Sequence, residues 1–434
     1  MSNKLGRGRS RWTPRATPLR VVFLTLLVVA LAVPAAGYSG ESSAAQSGEL
    51  EVFSWWTGGG EAAGLTKVIA IWKRQNPSIK FVNSAVAGGA GTNAQAVLAQ
   101  RLAANDPPDS FQGHAGSELQ DYIKAGDLEP INFLYRQAGF GKVMPPQLIK
   151  QITSGGKLYS VPVNIHRANV LWFNPKVLRD AGINGAPKTW AQFIAALKKA
   201  DAAGVIPLVV GEQWTNMHLF ETVLLSTVGQ RAYAALWKGK GSWTSPGVKK
   251  AVTRYAQVLQ YTNSDAASLT WQDASKLVVD GKAAFNIMGD WANGYFTELK
   301  KRPNVHYGWA PVPGTAGVYQ WLSDSFTLPR GAPNRAAAIK WLTLLGSKRA
   351  QDAFNPVKGS IPARQDANPR LYNTYLKSAL RDWKTNKLAG SLAHGVVAGN
   401  AWKAAINTSL GQFLQSKNTT RFQAGLAAAA KKYR

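Results

Sequence analysis

The sequence predicts an α/β protein built from two lobes, and three observations support this fold class. From residue 50 onwards, short apolar runs typical of strands alternate with longer segments in which apolar residues recur at helical spacing. This alternation indicates a largely parallel sheet covered by helices. At 434 residues the chain is too long for one compact domain, so two lobes are expected. It contains no cysteine, and the fold therefore does not depend on disulfides.

Residues 1–36 are predicted to be a cleaved secretory signal peptide. Six basic residues and no acidic ones precede an apolar core at 21–33, and small residues follow at 35–37. The apolar core is short for a bilayer span, so a membrane anchor is the weaker interpretation. Without cysteine there is no lipid-modified N-terminal cysteine. We expect a flexible leader at 37–48 and a periplasmic protein that is not lipid-anchored.

The chain is strongly basic, with 51 Lys and Arg against 23 Asp and Glu. Removing the predicted signal peptide still leaves 45 basic residues against the same 23 acidic ones. The basic residues are spread through helical segments and are not gathered with stacking aromatics, which argues against nucleic-acid binding. A general attraction to an anionic membrane or wall surface is the better explanation of the charge.

The first part of the chain alternates strands with helices. We predict strands at 50–53, 79–86 and 109–114, and helices at 61–75, 93–104, 117–125 and 145–152. Gln112 and His114 are two positions apart at the end of a strand, so their side chains point to one face of the sheet. This favours a shared ligand contact; a surface pair without a ligand is the alternative.

The turn between the first strand and the first helix has the sequence FSWWTGGGE at 53–61. Ligands of open α/β sheets bind at the carboxyl ends of the strands, which is where this turn lies. Trp55 and Trp56 offer flat faces with an N–H at the rim, and the glycines allow a close backbone approach. This chemistry suits a sugar, which has apolar C–H faces and a ring of hydroxyls. The alternative is that both indoles belong to the core.

The second part of the chain continues the alternation. We predict strands at 168–173, 207–210 and 281–288, and helices at 175–181, 190–202, 221–227, 230–236, 248–262 and from 269. Thr189 is a predicted N-cap for the helix at 190–202. The turn Gly289-Asp290-Trp291 mirrors the tryptophan turn of the first part. Segments 161–174 and 310–325 are predicted to be extended and to serve as hinge strands.

Six segments, in order, resemble the extracellular sugar-binding proteins of ABC importers, the family 1 solute-binding proteins. They are LEVFSWW at 50–56, PPD at 107–109, GKLYSVPV at 156–163, GKAAFNIMGDWA at 281–292, APVPG at 310–314 and LSDSF at 322–326. The chain is most similar to glucose- and galactose-binding members through VPVNIHR at 161–167, FNPVKGS at 354–360 and GSLAHG at 390–395.

The resemblance implies a two-lobed periplasmic-binding-protein fold of type II-like topology, with hinge crossovers and a ligand cleft between the lobes. The implied N-terminal lobe comprises 49–160 and 312–355, and the implied C-terminal lobe comprises 161–311 and 356–434. The protein is expected to be a monomer without a cofactor and to bind a monosaccharide such as glucose, with galactose or mannose as alternatives. Its partners would be an ABC permease and ATPase subunits on separate chains.

The resemblance also implies the residues of the sugar site. They are Trp55, Trp56, Glu61, Gln112, His114, Trp271, Asp290, Trp291, Asp324, Lys358 and His394. Asp324 would be costly to bury without partners, which sugar hydroxyls could supply. Several residues have plainer alternatives: Lys358 as a solvated lysine, His394 as a core histidine, Asn164 and His166 as hinge structure, and Trp214 and Trp271 as core.

Two other functions use the same cleft: a secreted glycoside hydrolase and a non-transporting sugar sensor. A hydrolase would draw two carboxylates from Glu61, Asp290 and Asp324. Three tryptophans near these acids favour binding over turnover. The sequence also contains no zincin, Walker or nucleophile-elbow motif. We therefore expect that the protein is not an enzyme. The five histidines, at 114, 166, 218, 306 and 394, have no close ligand spacing, and no metal site is expected.

Overall fold

A computed structural model describes residues 48–434 of the protein. The predicted signal peptide and the predicted leader up to residue 47 lie outside the described residues. Within 48–434, no helix combines the length and the apolar content that a membrane crossing requires.

The strands and helices follow one another as the sequence predicts for an α/β protein. The strands are β1 Glu49–Ser54, β2 Lys80–Ala85, β3 Ser110–His114, β4 Thr153–Ser154, β5 Lys157–Leu158, β6 Ser160–Pro162, β7 Asn164–Arg167, β8 Val170–Phe173, β9 Ile206–Val209, β10 Ala283–Met288, β11 Gly308–Pro311, β12 Val318–Leu322, β13 Asp324–Thr327, β14 Ile361–Pro362 and β15 Lys387–Gly390. The helices are α1 Gly59–Gln75, α2 Thr92–Ala103, α3 Ser117–Ala125, α4 Asn132–Ala138, α5 Pro146–Gln151, α6 Pro175–Asp180, α7 Trp190–Ala202, α8 Gln213–Trp237, α9 Pro246–Leu259, α10 Trp271–Val279, α11 Trp291–Glu298, α12 Arg335–Leu345, α13 Lys348–Lys358, α14 Thr374–Thr385, α15 Asn400–Ser416 and α16 Thr419–Tyr433.

The first sheet has the strand order β2-β1-β3-β13-β6. Strand β1 pairs in parallel with β2 and β3, as the alternation of strands and helices predicts. Strand β13, however, runs antiparallel to β3 and to β6. The sheet is therefore mixed and not largely parallel, because a strand from more than two hundred positions later in the chain completes it.

The second sheet has the order β11-β8-β10-β9, with β10 parallel to β9 and antiparallel to β8. A third sheet has the order β14-β7-β12-β15, and its strand β7 follows β6 of the first sheet in the chain and precedes β8 of the second. Two large clusters and one small cluster of buried apolar side chains accompany this arrangement. The first includes Phe111 of the first sheet, the second includes Phe285 of the second sheet, and the small one contains Val209. The two-lobed α/β fold is confirmed, while the residue limits of the two lobes stay a prediction.

The chain passes between the first and third sheets at two single-residue crossings. Val163 separates β6 from β7, and Ser323 separates β12 from β13. The two crossings touch, since the Val163 N–H donates to the Asp324 carbonyl over 2.9 Å. Both crossings lie within the segments that the sequence predicts to be hinge strands.

Local signals explain the helix that the sequence places at 190–202. The Thr189 side chain accepts from the Gln192 N–H, and the Gln192 side chain accepts from the Thr189 N–H. The predicted N-cap is therefore confirmed, as part of a capping box. The predicted helices at 221–227 and 230–236 belong to one longer element, α8, which begins at Gln213. Gly229, with φ of 79°, interrupts its helical backbone between the two predicted segments.

Helices α1 and α11 approach the end of α13 closely because glycines line the contact. A Cβ atom at Gly294 would lie 2.4 Å from the Lys358 carbonyl oxygen, and one at Gly60 would lie 2.6 Å from the Val357 carbonyl oxygen. Real Cβ atoms do not approach other atoms so closely, so both positions require glycine. This contact fixes the last turn of α13, which carries Lys358.

We expect Gly294→Ala to lower the free energy of unfolding by about 1–3 kcal/mol, since the added methyl group would have to displace backbone atoms. Urea denaturation followed by circular dichroism measures the change. Gly141→Ala is the matched control, because a Cβ atom there meets nothing within 4 Å. Equal stability of the two variants would contradict the close packing.

Candidate ligand-binding site

A cavity of about 510 Å³ lies where the ends of several strands and the starts of several helices converge. Its walls come from the turn after β1, the glycine-rich loop at 88–91, the ends of β3 and β7, and the starts of α8, α10 and α11. Asp324 at the start of β13 and Lys358 at the end of α13 complete the wall. Aromatic rings and charged side chains therefore meet in one concave surface, as in most ligand sites.

Most of the residues predicted for the site line this cavity. They are Trp55, Glu61, His114, Trp271, Trp291, Asp324, Lys358 and His394. They derive from distant parts of the sequence, and the fold brings them together.

Trp56 of the predicted site lies outside the residues that line the cavity. Its indole is 1% exposed and packs against Phe326 and Phe354, with ring centroids 5.3 and 4.8 Å away. Trp56 does not line the cavity that Trp55 lines. Since side chains alternate across an extended backbone, neighbouring residues point to opposite sides, and Trp56 points into the core.

Gln112 and Asp290 also lie outside the residues that line the cavity, so their predicted contact with the ligand stays a prediction. Gln112 Nε2 donates to Asp324 Oδ1 over 2.9 Å, and its Oε1 accepts from the Trp55 N–H over 3.2 Å. Asp290 pairs with His166 Nδ1 and accepts from the Arg167 N–H over 2.9 Å. Both side chains hold other residues that face the cavity.

Several residues outside the predicted set also line the cavity. His166, Glu212 and Trp214 line the wall, with Thr270 and the loop at 88–91. Glu212 Oε1 accepts from Trp214 Nε1 over 2.9 Å, which orients the indole. One signal was available: Gly211–Trp214 follows a buried strand and opens a helix, as the tryptophan turns at Trp55 and Trp291 do.

Asp324 is the carboxylate at the centre of the site, and its side chain is held from both sides. Oδ1 accepts from Gln112 Nε2, and Oδ2 accepts from Asn164 Nδ2 over 2.6 Å. His114 Nε2 lies 3.7 Å from Oδ1, and His166 Nε2 lies 3.5 Å from Oδ2. Each carboxylate oxygen has two lone pairs, so further acceptor capacity remains toward the cavity.

These neighbours decide the charge of Asp324, which is only 3% exposed. Burial opposes ionisation, but the hydrogen bond with His166 and the positive charge of Lys358 outweigh it. Together they hold the pKa of Asp324 well below its usual range. The site therefore presents a buried carboxylate that stays ionised.

His166 is poised between two carboxylates. Burial and the charge of Lys358 lower its tendency to take a proton, but Asp290 and Asp324 more than offset both, and the pKa of His166 is raised. Asp290 contacts Nδ1 of the His166 ring, whereas Asp324 lies near Nε2. Asp290 thus orients His166 as a buried carboxylate orients a histidine ligand in many sites.

Lys358 meets Glu61 in the cavity wall. Lys358 Nζ donates to Glu61 Oε1 over 2.7 Å, and it lies 6.0 Å from the centre of the Trp291 ring. The lysine side chain is nearly fully buried, which disagrees with the solvated alternative. The buried lysine therefore has a carboxylate as its partner, as buried charged side chains require.

Trp291 is the centre of the aromatic wall. Its ring lies 5.0 Å from His394, 5.4 Å from His166 and 6.5 Å from Trp271. The ring folds back over its own turn, and a Cβ atom at Gly289 would lie 2.1 Å from it. Glycine at 289 is therefore required for this orientation of the indole.

His114 is fixed by a buried ion-pair network beneath the cavity. Its Nδ1 lies 3.0 Å from Glu118 Oε2, and Lys403 Nζ donates to the same oxygen over 3.2 Å. Burial alone would raise the pKa of Glu118, but the charges of His114 and Lys403 lower it to about 2. Glu118 is therefore ionised at every pH at which the protein is expected to function.

One group in the described part of the chain offers donors for a metal ion. His218, Glu221 and His394 are buried, with ligand atoms within 4.8 Å of one another. The histidines have no close spacing in sequence, but the fold brings His394 to His218 and Glu221, which are three positions apart on α8. Both oxygens of Glu221 already accept hydrogen bonds from the turn at 391–393.

Residues 50–352 match the family described as bacterial extracellular solute-binding protein. A protein of Pyrococcus horikoshii, described as an uncharacterised ABC transporter extracellular-binding protein, is 36% identical, over 95% of this chain and 97% of its own length. A probable sugar-binding periplasmic protein of Mesorhizobium japonicum is 34% identical, over 90% of this chain and 94% of its own length.

The fold is also similar to that of solved solute receptors. The structure of AcbH, a bacterial receptor described as having an exclusive preference for β-D-galactopyranose, superimposes with a TM-score of 0.77. It is 20% identical in sequence, and the match covers 88% of this chain and 98% of that one. At this identity the likeness concerns the fold alone.

We expect Glu118→Gln to destabilise the protein by about 3–5 kcal/mol at pH 7, because the change leaves the buried charge of Lys403 without its partner. The pKa of Glu118 is lowered to about 2 from an ordinary value of 4.5. Its contribution to stability is therefore present above about pH 4.5 and is lost as the pH falls toward 2.

Urea denaturation of the parent and of Glu118→Gln between pH 7 and pH 3 measures their free energies of unfolding. The difference between the two free energies should become smaller toward pH 3. Glu298→Gln serves as the control, because Glu298 is exposed. A gap that stays constant with pH would contradict the role given to the Glu118 carboxylate.

Proposed function

The chain belongs to the family of bacterial extracellular solute-binding proteins, and on that premise we propose that it captures a sugar outside the cytoplasmic membrane for an ABC importer. One observation carries the choice of a sugar: an ionised, buried carboxylate, Asp324, faces a cavity walled by indole rings. Indole faces pack on the apolar C–H faces of a pyranose, and a carboxylate accepts from its hydroxyls.

The preferred ligand in this proposal is a monosaccharide such as glucose, with galactose and mannose as the nearest alternatives. Support comes from the segments that resemble glucose- and galactose-binding members. These segments supply His166, Lys358 and His394, and all three side chains line the cavity. Their polar atoms are arranged around Asp324, which suits a compact ligand with hydroxyls on every side.

The state of the three candidate acids favours binding over glycoside hydrolysis. A hydrolase needs a protonated acid facing the scissile bond, opposite a nucleophile or base. Asp290 lies behind the wall, and Glu61 is paired with Lys358. Asp324 is held ionised, as suits an acceptor of hydroxyl hydrogen bonds.

The proposed partners follow from the proposed function. A binding component delivers its ligand to a membrane permease, which is driven by ATPase subunits on separate chains. We propose that the protein acts as a monomer in the extracytoplasmic space and needs no cofactor. A sensor that binds the same sugar without transport would use the same cavity, and transport assays with the permease would separate the two.

The ligand can be identified by titration calorimetry of the purified protein with glucose, galactose, mannose, xylose, maltose and trehalose. We expect one of the three hexoses to bind most tightly, with no release of reducing sugar from glycosides. Selective binding of a disaccharide would contradict the monosaccharide proposal, and absence of binding to all six sugars would contradict the sugar proposal itself.

We expect Asp324→Asn to weaken binding of the preferred sugar by about tenfold to a hundredfold, since hydrogen bonds to a charged group contribute roughly 1.5–3 kcal/mol. Trp291→Ala should weaken it at least as much, through loss of a large apolar contact. Calorimetry measures both, and circular dichroism verifies the fold. Asp201→Asn, at an exposed position, is the control. Parent-like affinity in both cavity variants would place the site elsewhere.

A further inference from the structure

Glu221 is a fully buried carboxylate of helix α8 that does not line the cavity. It lies against the turn at 391–395, which carries His394. Glu221 Oε1 accepts from Ser391 Oγ over 2.8 Å. Its Oε2 accepts from the backbone N–H groups of Leu392 and Ala393, the latter over 3.0 Å. One side chain thus receives three hydrogen bonds from consecutive residues of this turn.

Ser391 links this carboxylate to His394. Ser391 Oγ lies 2.8 Å from His394 Nδ1 as well as 2.8 Å from Glu221 Oε1. A hydroxyl group has one proton to donate. When Ser391 donates it to an ionised Glu221, the hydroxyl oxygen must accept from His394, so that His394 carries its proton on Nδ1. The other ring nitrogen, Nε2, is then an acceptor.

The turn has little freedom to place His394 differently. The Gly395 N–H donates to the Leu392 carbonyl over 3.0 Å, and the Val396 N–H donates to the Ser391 carbonyl over 2.9 Å. Gly395 has φ of 65°, and a Cβ atom there would lie 2.6 Å from Glu118. The turn is therefore wedged between two buried carboxylates, Glu221 and Glu118, and its histidine projects into the cavity wall.

We propose that Glu221 is a positioning residue for the ligand: acting through Ser391, it holds His394 with Nδ1 protonated and presents Nε2 as a hydrogen-bond acceptor for one hydroxyl of the sugar. Here the proposed sugar-binding function is the premise. The cavity then holds two acceptors of different kinds, a neutral imidazole nitrogen and the charged Asp324.

At mildly alkaline pH, the protonation states of Glu221 and the groups around it agree with this assignment. Burial raises the pKa of Glu221 to about 7 against the opposing effect of its hydrogen bonds. The titratable groups that face it are His218, 3.7 Å away on the same helix, Tyr233 of α8, and His394 on the turn. Burial lowers the pKa of His218 to about 4 and that of His394 well below its usual range. At pH 8, Glu221 is the charged member of the group.

Glu221→Gln is the informative variant because it preserves the shape of the side chain and reverses the direction of the hydrogen bonds that link residue 221, Ser391 and His394. The amide oxygen can still accept from the two backbone N–H groups, while the amide nitrogen now donates to Ser391 Oγ. Ser391 is then free to donate to His394 Nδ1, which moves the histidine proton to Nε2. Ser391→Ala removes the link altogether. Glu298→Gln, on the surface, is the control.

The tautomer can be read without any ligand, by long-range ¹⁵N–¹H correlation of the imidazole nitrogens at pH 8. His394→Asn identifies the His394 signals. We expect Nδ1 protonation in the parent and in Glu298→Gln, and Nε2 protonation in Glu221→Gln. An unchanged tautomer in Glu221→Gln would overturn the inference, whatever the protein binds.

Sugar titration at pH 8 provides the second readout. We expect Glu221→Gln and Ser391→Ala each to weaken sugar binding about tenfold. The double variant should bind sugar no more weakly than the weaker-binding of the two single variants, since both residues act on His394 through the same series of hydrogen bonds. Losses that simply multiply would overturn the inference. If the parent binds no sugar, the proposed function fails, while the tautomer measurement still decides the role of Glu221.

A metal ion held by His218, Glu221 and His394 is the competing account of the same group. It predicts that prolonged treatment of the parent with EDTA changes the His394 signals and weakens sugar binding. We expect neither change. Either one would overturn the hydrogen-bond relay, because an ion would then be what positions His394.

Discussion

The burial of the Asp324 carboxylate is the constraint on which the rest of the site depends. A charge in so enclosed a position must be compensated on every side, and the compensating groups come from several different elements. Gln112 comes from β3, Asn164 and His166 from β7, and Lys358 from the end of α13. The mixed first sheet is needed for this, since only the antiparallel placement of β13 beside β3 sets Asp324 opposite His114.

Beneath the cavity wall lies a second layer of polar groups that contacts no ligand. Gln112 holds Asp324 and the Trp55 backbone, Asp290 holds His166, and Glu118 holds His114. Glu221 holds the turn that carries His394. These groups are buried, so each would be costly without its partner. The wall residues are therefore held in their orientations by the protein itself.

The sequence predicted the elements with strong local signals, such as the capped helix after Thr189, and the tryptophan turns at strand ends. It also placed Gln112 and Asp290 in the right neighbourhood, but strand alternation tells only the face of a residue and not its depth. Trp56 shows the same limit, since a neighbour of a cavity residue points into the core. The meeting of Glu221 with the turn at 391–395 joins residues about 170 positions apart, and no local pattern indicates such a contact.

The touching crossings at Val163 and Ser323 give the hinge and the central carboxylate a common location. Asp324 is the first residue after one crossing, and its side chain accepts from Asn164, the first residue after the other. A rotation of one lobe about these crossings would turn Asp324, in the first sheet, relative to Asn164, in the third sheet. Under the proposed function, a transporter that spreads the lobes would therefore act on the hydrogen bond beside the central carboxylate, which would couple opening of the lobes to release of the cargo.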